Sequence, residues 1–240
     1  MKPKRLTAAV GTFAVCAVFV LAGTLLGTPR LQARDDDRDG DESKVEIGFD
    51  IAPVRLNLHH KNRHLVGLGS YIVNAVADCN GCHSAGPQTE YTPNGSPYLL
   101  SNHHVPPGPF GGKKVVNTAT YLGGGNDFGP LGPPPTPHIV SRNLTPDKSG
   151  LPEGGRTFAE FYQILKTGVD LDHLHPTCPG PPGTVGPHCL PFPFNGALLQ
   201  VMPWPAFQDM TDHDIEAIYA YLSAVPCVVG PPNVQQNVCQ

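Results

Sequence analysis

Residues 76–83 read Val-Ala-Asp-Cys-Asn-Gly-Cys-His, and the last five, Cys79-Asn80-Gly81-Cys82-His83, decide how the chain is interpreted. The two cysteines are three positions apart, and a histidine follows the second one directly. An apolar helical pattern at 65–77 leads straight into the motif, so we expect the motif at the end of a helix. No second copy of this motif occurs in the 240 residues.

This spacing is typical of covalent haem attachment. Each thiol can add across one vinyl group of the same porphyrin, and the histidine is then carried beneath the ring to bind the iron. The competing interpretations are a redox disulfide, half of a zinc site and a structural bridge. A thioredoxin-like redox motif needs a βαβ setting, which the sequence lacks, and no second CxxC completes a zinc site. The motif therefore predicts one covalent haem c on Cys79 and Cys82, with His83 on the iron.

The second axial ligand must come from the methionines or from another histidine. Met202 is followed by a proline and stands in a loop before the last helical pattern, and its thioether is a soft ligand suited to Fe(II). Met210 stands at the entrance of that helix, where a side chain more often packs against the core. We favour Met202, and Met210 and the histidines stay open. Four histidines in loops are more often simply exposed polar residues: His103, His104, His173 and His175.

Three helical patterns are separated by long stretches rich in Pro and Gly. The first covers 65–77, the second 157–167 and the third 212–224. Thr157 and Glu160 form a capping box at the start of the second pattern, and Gly168 is expected to stop it. Thr211 opens the third pattern. We find no strand alternation strong enough to predict a sheet, and no internal repeat.

The composition includes 27 Gly and 28 Pro, which by itself suggests low-complexity disorder. Only 15% of the residues are charged and 40% are hydrophobic, which favours a folded chain. Strict Gly-X-Y periodicity is absent, so the chain is not collagen-like. The Pro and Gly residues concentrate in two long inserts, near 84–137 and 176–200, which we expect to wrap around the haem.

The first 33 residues read as an export signal or as an uncleaved N-terminal membrane anchor. Lys2, Lys4 and Arg5 precede an apolar, uncharged stretch over 6–26, and Cys16 is a hydrophobic residue of that stretch. Residues 34–50 carry eight acidic and three basic side chains and predict a solvated tether before a domain over 51–240. An acidic exported protein is a poor nucleic-acid binder, and docking to a basic patch on a partner protein suits it better.

Four cysteines remain outside the motif and the signal segment: Cys178, Cys189, Cys227 and Cys239. An even number in an oxidising compartment predicts two disulfides, for which three connectivities are possible. We favour the local pairs Cys178 with Cys189 and Cys227 with Cys239. The first would clamp a Pro/Gly-rich loop, and the second would hold the C-terminal tail.

The chain resembles class I c-type cytochromes. The matching parts are Gly69-x-Tyr71 ahead of CNGCH, the Met-Pro loop, and a final helix with the sequence DIEAIYAYL over 214–222. Residues 142–147, RNLTPD, followed by TFAEFYQILKTGV, are similar to cytochrome c subunits of periplasmic dehydrogenases of alcohols and sugar acids. The resemblance implies one all-α domain whose first and last helices cross beside the haem, with His83 and Met202 as axial ligands. Those subunits carry several haem domains in tandem, whereas this chain has one CxxCH, so a single-haem relative with another partner is an equal interpretation.

Iron ligated by His and Met has no open position, so we expect one-electron transfer rather than an enzymatic reaction. The expected function is that of a periplasmic electron carrier between a dehydrogenase or other donor and a respiratory acceptor such as an oxidase or another cytochrome. The alternatives are a catalytic or gas-sensing haem protein in which Met202 is displaced, and an anchoring module of a larger complex. Arg142, Asn143 and Trp204 are candidate contacts of the haem propionates, against the simpler interpretation of a surface loop residue and ordinary core.

Overall fold

In the computed structural model, residues 33–98, 114–232, 234 and 239 are described, with side chains from residue 41 onward except at positions 87 and 94. The predicted export signal or anchor therefore lies outside the described residues, apart from its last position. Within the described part of the chain, no helix is both long and apolar enough to cross a membrane.

Helices form most of the regular structure, and short elements connect them. The helices are α1 (Ala33–Ile51), α2 (Arg63–Tyr71), α3 (Cys79–His83), α4 (Pro87–Glu90), α5 (Pro152–Gly155), α6 (Phe158–Thr167), α7 (Trp204–Phe207) and α8 (Asp212–Leu222). A π-helical segment, Ile72–Val76, continues α2, and a 3-10 turn covers Pro93–Gly95. Strands β1 (Asp127–Pro130) and β2 (His138–Val140) pair antiparallel, with Asp127 opposite Val140 and Pro130 opposite His138.

The core centres on the crossing of α2 and α8. A Cβ on Gly69 would collide with the carbonyl oxygen of Ala217, so only glycine lets the two backbones come this close. Around the crossing lie buried side chains from both helices, among them Leu68, Ile215 and Leu222. The close contact places the end of α2, and hence the CNGCH motif, beside α8.

The three predicted helices are confirmed, with one change at the first. The helix after Asn62 becomes π-helical at Ile72, where the amide of Ala77 donates to the carbonyl of Ile72 at 2.8 Å. A π segment adds a residue to one turn and is frequent near functional sites. The capping box of Thr157 and Glu160 is present at α6. Gly168 ends α6 in the left-handed conformation, with φ of 70°.

The segment 34–50, expected to be a solvated tether, is helical in the structure and belongs to α1. Val45 is only 6% exposed and lies in the core cluster, and Gly48 packs directly on Gly67 of α2. The hydroxyl of Ser70 donates to the carbonyl of Gly48 at 2.6 Å. The acidic composition concealed a helical face formed by Val45, Gly48 and the partly buried Phe49, at spacings of three and four residues.

Backbone pairing and one disulfide hold the long inserts, and a second disulfide holds the C-terminal tail. The bonds Cys178–Cys189 and Cys227–Cys239 are both present, which confirms the local pairing. The β1–β2 ribbon is an element that the sequence analysis did not predict. Its strands have only four and three residues, and β1 contains Gly and Pro, so they are too short to produce an alternating pattern.

Candidate functional site

A large cavity opens between the helices and the inserts, and the CNGCH motif forms one side of it. Residues from α3, α6 and α8 provide what we call the helical wall: Cys79, Cys82, His83, Phe161, Leu165, Ile218 and Leu222. Residues outside α6 in the region 142–202 provide the loop wall, whose polar and sulfur-containing members are Arg142, Glu153, Asp170, His175, Gln200 and Met202. Further leucines and valines line the rest, so the interior is mostly apolar.

The motif folds as a single helical turn. Asp78 precedes it in the left-handed conformation, with φ of 45°, and redirects the chain after the π segment. The amide of Leu122 donates to Oδ1 of Asn80 at 2.9 Å, which fixes the turn against the following insert. Because Cys79 and Cys82 are one helical turn apart, both thiols reach the same cavity.

The two thiols are not joined in a disulfide, and the pKa of each is raised. Burial raises the pKa of Cys79 to about 12, with the nearby Asp78 carboxylate acting in the same direction. The pKa of Cys82 is raised as well, first by burial. Redox and zinc-binding cysteines need stable thiolates, which positive charge rather than burial and acidic neighbours would favour. No group of three or more metal-binding side chains suited to an ion occurs among the described residues.

His83 is held in a defined orientation by the backbone of the loop wall. Its Nδ1 lies 2.7 Å from the carbonyl oxygen of Arg142, so this nitrogen carries the proton and Nε2 is left for another partner. Burial lowers the pKa of His83, against the opposing effect of that carbonyl. A neutral imidazole with one nitrogen fixed by a carbonyl is the usual arrangement of a metal-binding histidine.

Arg142 anchors a buried ion-pair cluster on the loop wall. Its guanidinium contacts three carboxylates, which we call the carboxylate cluster: Glu153 at 3.3 Å, Asp172 at 2.8 Å and Asp170. The Arg142 and Asp170 side chains are only 10% and 8% exposed. Burial raises the pKa of Glu153, although the charge of Arg142 acts in the opposite direction. A second arginine, Arg156, pairs with Asp172 from the outer side.

Of the two methionines in the described residues, only Met202 lines the cavity. It stands between Val201, which has a positive φ of 68°, and the turn that starts α7. Met210 packs against the core cluster, and its carbonyl accepts a hydrogen bond from Nζ of Lys166 at 2.6 Å. The structure therefore brings Met202 and His83 to one cavity, and it leaves Met210 in the core.

The three candidate propionate contacts have different surroundings. Arg142 lines the cavity and is engaged by the carboxylate cluster. The amide of Asn143 is buried and occupied, because its Nδ2 donates to the Val228 carbonyl and its Oδ1 accepts from Thr145. The indole N–H of Trp204 donates to the carbonyl of Leu199 at 3.2 Å. Asn143 and Trp204 are not among the residues that line the cavity.

His175 lines the cavity, whereas its place in a loop of the sequence predicts an exposed polar residue. Its ring lines the loop wall, and its Nδ1 is buried without a hydrogen-bond partner among the described residues. Burial lowers its pKa. The signal that could have found it is its position three residues before Cys178, which forms a disulfide with Cys189. His173 is exposed as expected, and His103 and His104 lie outside the described residues.

The residues present fit a haem c. The cavity offers an apolar interior for a flat macrocycle, two free thiols one turn apart, an imidazole whose Nε2 is available, and a thioether in the opposite wall. The donor set, imidazole with thioether, is one that c-type cytochromes use for iron.

The comparisons with known proteins support a distant relation to cytochrome c subunits. No family model matches the chain, and no solved structure matches it. The chain is 25% identical, over 175 residues and 72% of its length, to the cytochrome c subunit of a quinone-dependent alcohol dehydrogenase from Gluconacetobacter polyoxogenes. The corresponding subunit from Komagataeibacter europaeus matches at the same identity and coverage. The chain spans about a quarter of the length of these relatives.

Proposed function

We propose that the protein is an exported, periplasmic one-electron carrier of the class I cytochrome c type, with one haem c and no catalytic reaction of its own. The observation that carries the proposal is that Cys79, Cys82, His83 and Met202 line one cavity. The distant likeness to cytochrome c subunits supports the same conclusion. The proposed fold is a single, mainly helical cytochrome c domain over 51–240, to which α1 adds a helix.

Each residue of the proposed site has a defined task. Cys79 and Cys82 would provide the thiols for covalent attachment of the haem, and His83 and Met202 would provide the side chains that bind its iron. When bound, the haem supplies one-electron exchange between Fe(II) and Fe(III). Apolar side chains of both walls exclude water from the cavity, and the Arg142 carbonyl holds the His83 ring in place.

The proposed partners are redox proteins. The relatives are subunits of quinone-dependent alcohol dehydrogenases, so a dehydrogenase is the proposed electron donor and an oxidase or another cytochrome the acceptor. Membrane attachment through the N-terminal segment is part of the proposal as an alternative to cleavage. Nucleic acid is not a proposed partner, because the chain is acidic, with a formal net charge of −4.

The first test is covalent haem loading. We expect the protein, produced together with a cytochrome c maturation system, to keep its haem after denaturation and to gain the mass of one haem. Changing both Cys79 and Cys82 to Ala should abolish this retention. The matched control changes Cys178 and Cys189 to Ser and should retain haem. A wild-type protein without covalent haem would contradict the proposal.

The second test concerns the ligand opposite His83. The ferric wild-type protein should have the weak absorption band at the red end of the visible spectrum that reports Met coordination. Met202→Ala should lose the band and let the reduced protein bind CO, whereas Met210→Ala should keep the wild-type spectrum. Rapid CO binding by the wild type would instead favour a sensing or catalytic haem protein. A wild-type spectrum without the band and without CO binding would point to His175 as the ligand.

A further inference from the structure

One residue, Arg142, contacts both His83, the expected iron ligand, and a group of buried carboxylates. The backbone of Arg142 accepts the hydrogen bond of His83 Nδ1 at 2.7 Å, and its side chain enters the carboxylate cluster. The backbone and the side chain of Arg142 therefore make separate contacts. The backbone carbonyl contacts the expected iron ligand, and the guanidinium contacts Glu153, Asp170 and Asp172.

The guanidinium is held firmly by this cluster. It makes three ion pairs, and its partners Glu153 and Asp170 are 5% and 8% exposed. Planar arginine can engage several carboxylates at once in a fixed geometry, which lysine cannot do. Asp170 is itself oriented, because its carboxylate accepts from the amides of Asp172 at 3.1 Å and Leu174 at 3.2 Å.

The contact between His83 and Arg142 is also enclosed from the other side. Gly124 donates its amide to the carbonyl of His83, and its φ of 70° lets its backbone lie against the Arg142 peptide. A side chain at Gly124 would collide with the Arg142 carbonyl. Further backbone bonds join this segment to its neighbours, including Leu144 to Leu122 at 2.9 Å. The Arg142 carbonyl can therefore be held in place in two ways: by the backbone hydrogen bonds of this segment, or by the ion pairs of the Arg142 side chain.

We propose that the carboxylate cluster positions His83, the expected iron ligand. The cluster holds the guanidinium of Arg142, and the backbone carbonyl oxygen of the same residue is thereby presented to Nδ1 of His83. The inference rests on the proposed function, in which His83 binds iron. A well-held carbonyl makes the imidazole a stronger donor and fixes the plane of its ring. A stronger imidazole donor stabilises Fe(III) and lowers the reduction potential.

The test uses Asp170→Asn, which removes one charge of the cluster while keeping the shape of the side chain. NMR of the haem-loaded protein would measure hydrogen exchange at His83 Nδ1 and the pattern of haem methyl shifts in the ferric state. We expect exchange about tenfold faster than in the wild type, an altered methyl pattern and a higher reduction potential. The matched control is Glu160→Gln, which removes an exposed carboxylate that contacts Arg156 but not Arg142. It should keep the wild-type exchange rate and methyl pattern.

Two further variants test whether the ion pairs hold the Arg142 carbonyl. Arg142→Lys leaves the backbone carbonyl and the positive charge in place, and it should exchange at a rate between those of the wild type and Asp170→Asn. Asp172→Asn changes a more accessible member of the cluster and replaces Asp170→Asn if the latter fails to fold. Wild-type exchange and methyl patterns in all the loaded variants would overturn the inference, because the backbone pairing alone would then hold the carbonyl. Absence of covalent haem from the wild type would instead reject the proposed function.

Discussion

The two walls of the cavity differ in composition and in how they are built. The helical wall is apolar apart from the CNGCH motif, and it consists of regular helices, one of which, α8, crosses α2 outside the wall. The loop wall carries the charged cluster, His175 and Met202, and it is held by ion pairs, isolated backbone bonds and the Cys178–Cys189 disulfide. The helices therefore supply most of the apolar surface of the cavity, and the loops supply most of its polar and charged groups.

The largest expected effect on stability comes from Gly69→Ala at the α2–α8 crossing. The added methyl would collide with the Ala217 carbonyl and force the two helices apart, so the free energy of unfolding should fall by roughly 3 kcal/mol or more. Denaturant titration of the purified protein measures this change. Glu216→Ala, on the exposed side of α8, is the control and should change stability by less than about 0.5 kcal/mol. Equal effects of the two substitutions would show that the close approach of α2 and α8 does not require glycine at position 69.

The second prediction tests the disulfide that holds the loop wall. Changing Cys178 and Cys189 to Ser should lower the free energy of unfolding by about 2–3 kcal/mol through the loss of loop closure. The equivalent change at Cys227 and Cys239 closes a loop of similar length and should cost a similar amount. Only the first change should weaken the Met202 coordination band during mild heating. Equal loss of the band in both variants would argue against a specific role for the first disulfide.

The third prediction concerns the start of α6, which connects the walls. Thr157→Ala removes the side-chain acceptor for the Glu160 amide and should cost about 1 kcal/mol of unfolding free energy. The haem spectrum should stay unchanged, because neither residue lines the cavity. Gln163→Ala, at an exposed position of the same helix, serves as the reference. A spectral change in Thr157→Ala would show that the helix end also influences the site.

The smallest expected effect is a pH-dependent one, at Glu153. Burial raises its pKa in the folded protein, so the folded state binds this proton more tightly than the unfolded chain does. The resulting stability is complete below the ordinary carboxyl pKa and is lost as the pH rises through the raised pKa. The unfolding free energy of the wild type, relative to Glu153→Gln, should therefore decline from about pH 4 toward neutrality. Unfolding titrations across this range measure the difference, and Glu42→Gln, at an exposed position, is the control. A difference independent of pH would contradict the assignment.

Much of the helical wall could be predicted from the sequence. The periodic segments at 157–167 and 212–224, with their caps, correspond to α6 and α8 because periodicity and capping are local signals. Two features were not predictable in this way. The helix at 34–50 was hidden by its charge, and its burial depends on the contact between Gly48 and Gly67 of a different helix. The β1–β2 ribbon exists only because its two short segments meet.

The sequence by itself determined the chemistry of the site: two thiols and a histidine at fixed spacing, one Met-Pro loop, and four further cysteines whose local pairing is confirmed. These are properties of neighbouring residues, which chain connectivity alone brings together. Only the tertiary structure decided that Met202 rather than Met210 lines the cavity, that His175 joins it, and that the Arg142 carbonyl accepts from His83. Those contacts join residues far apart in the chain, so they depend on how the loops pack rather than on any local preference of the residues.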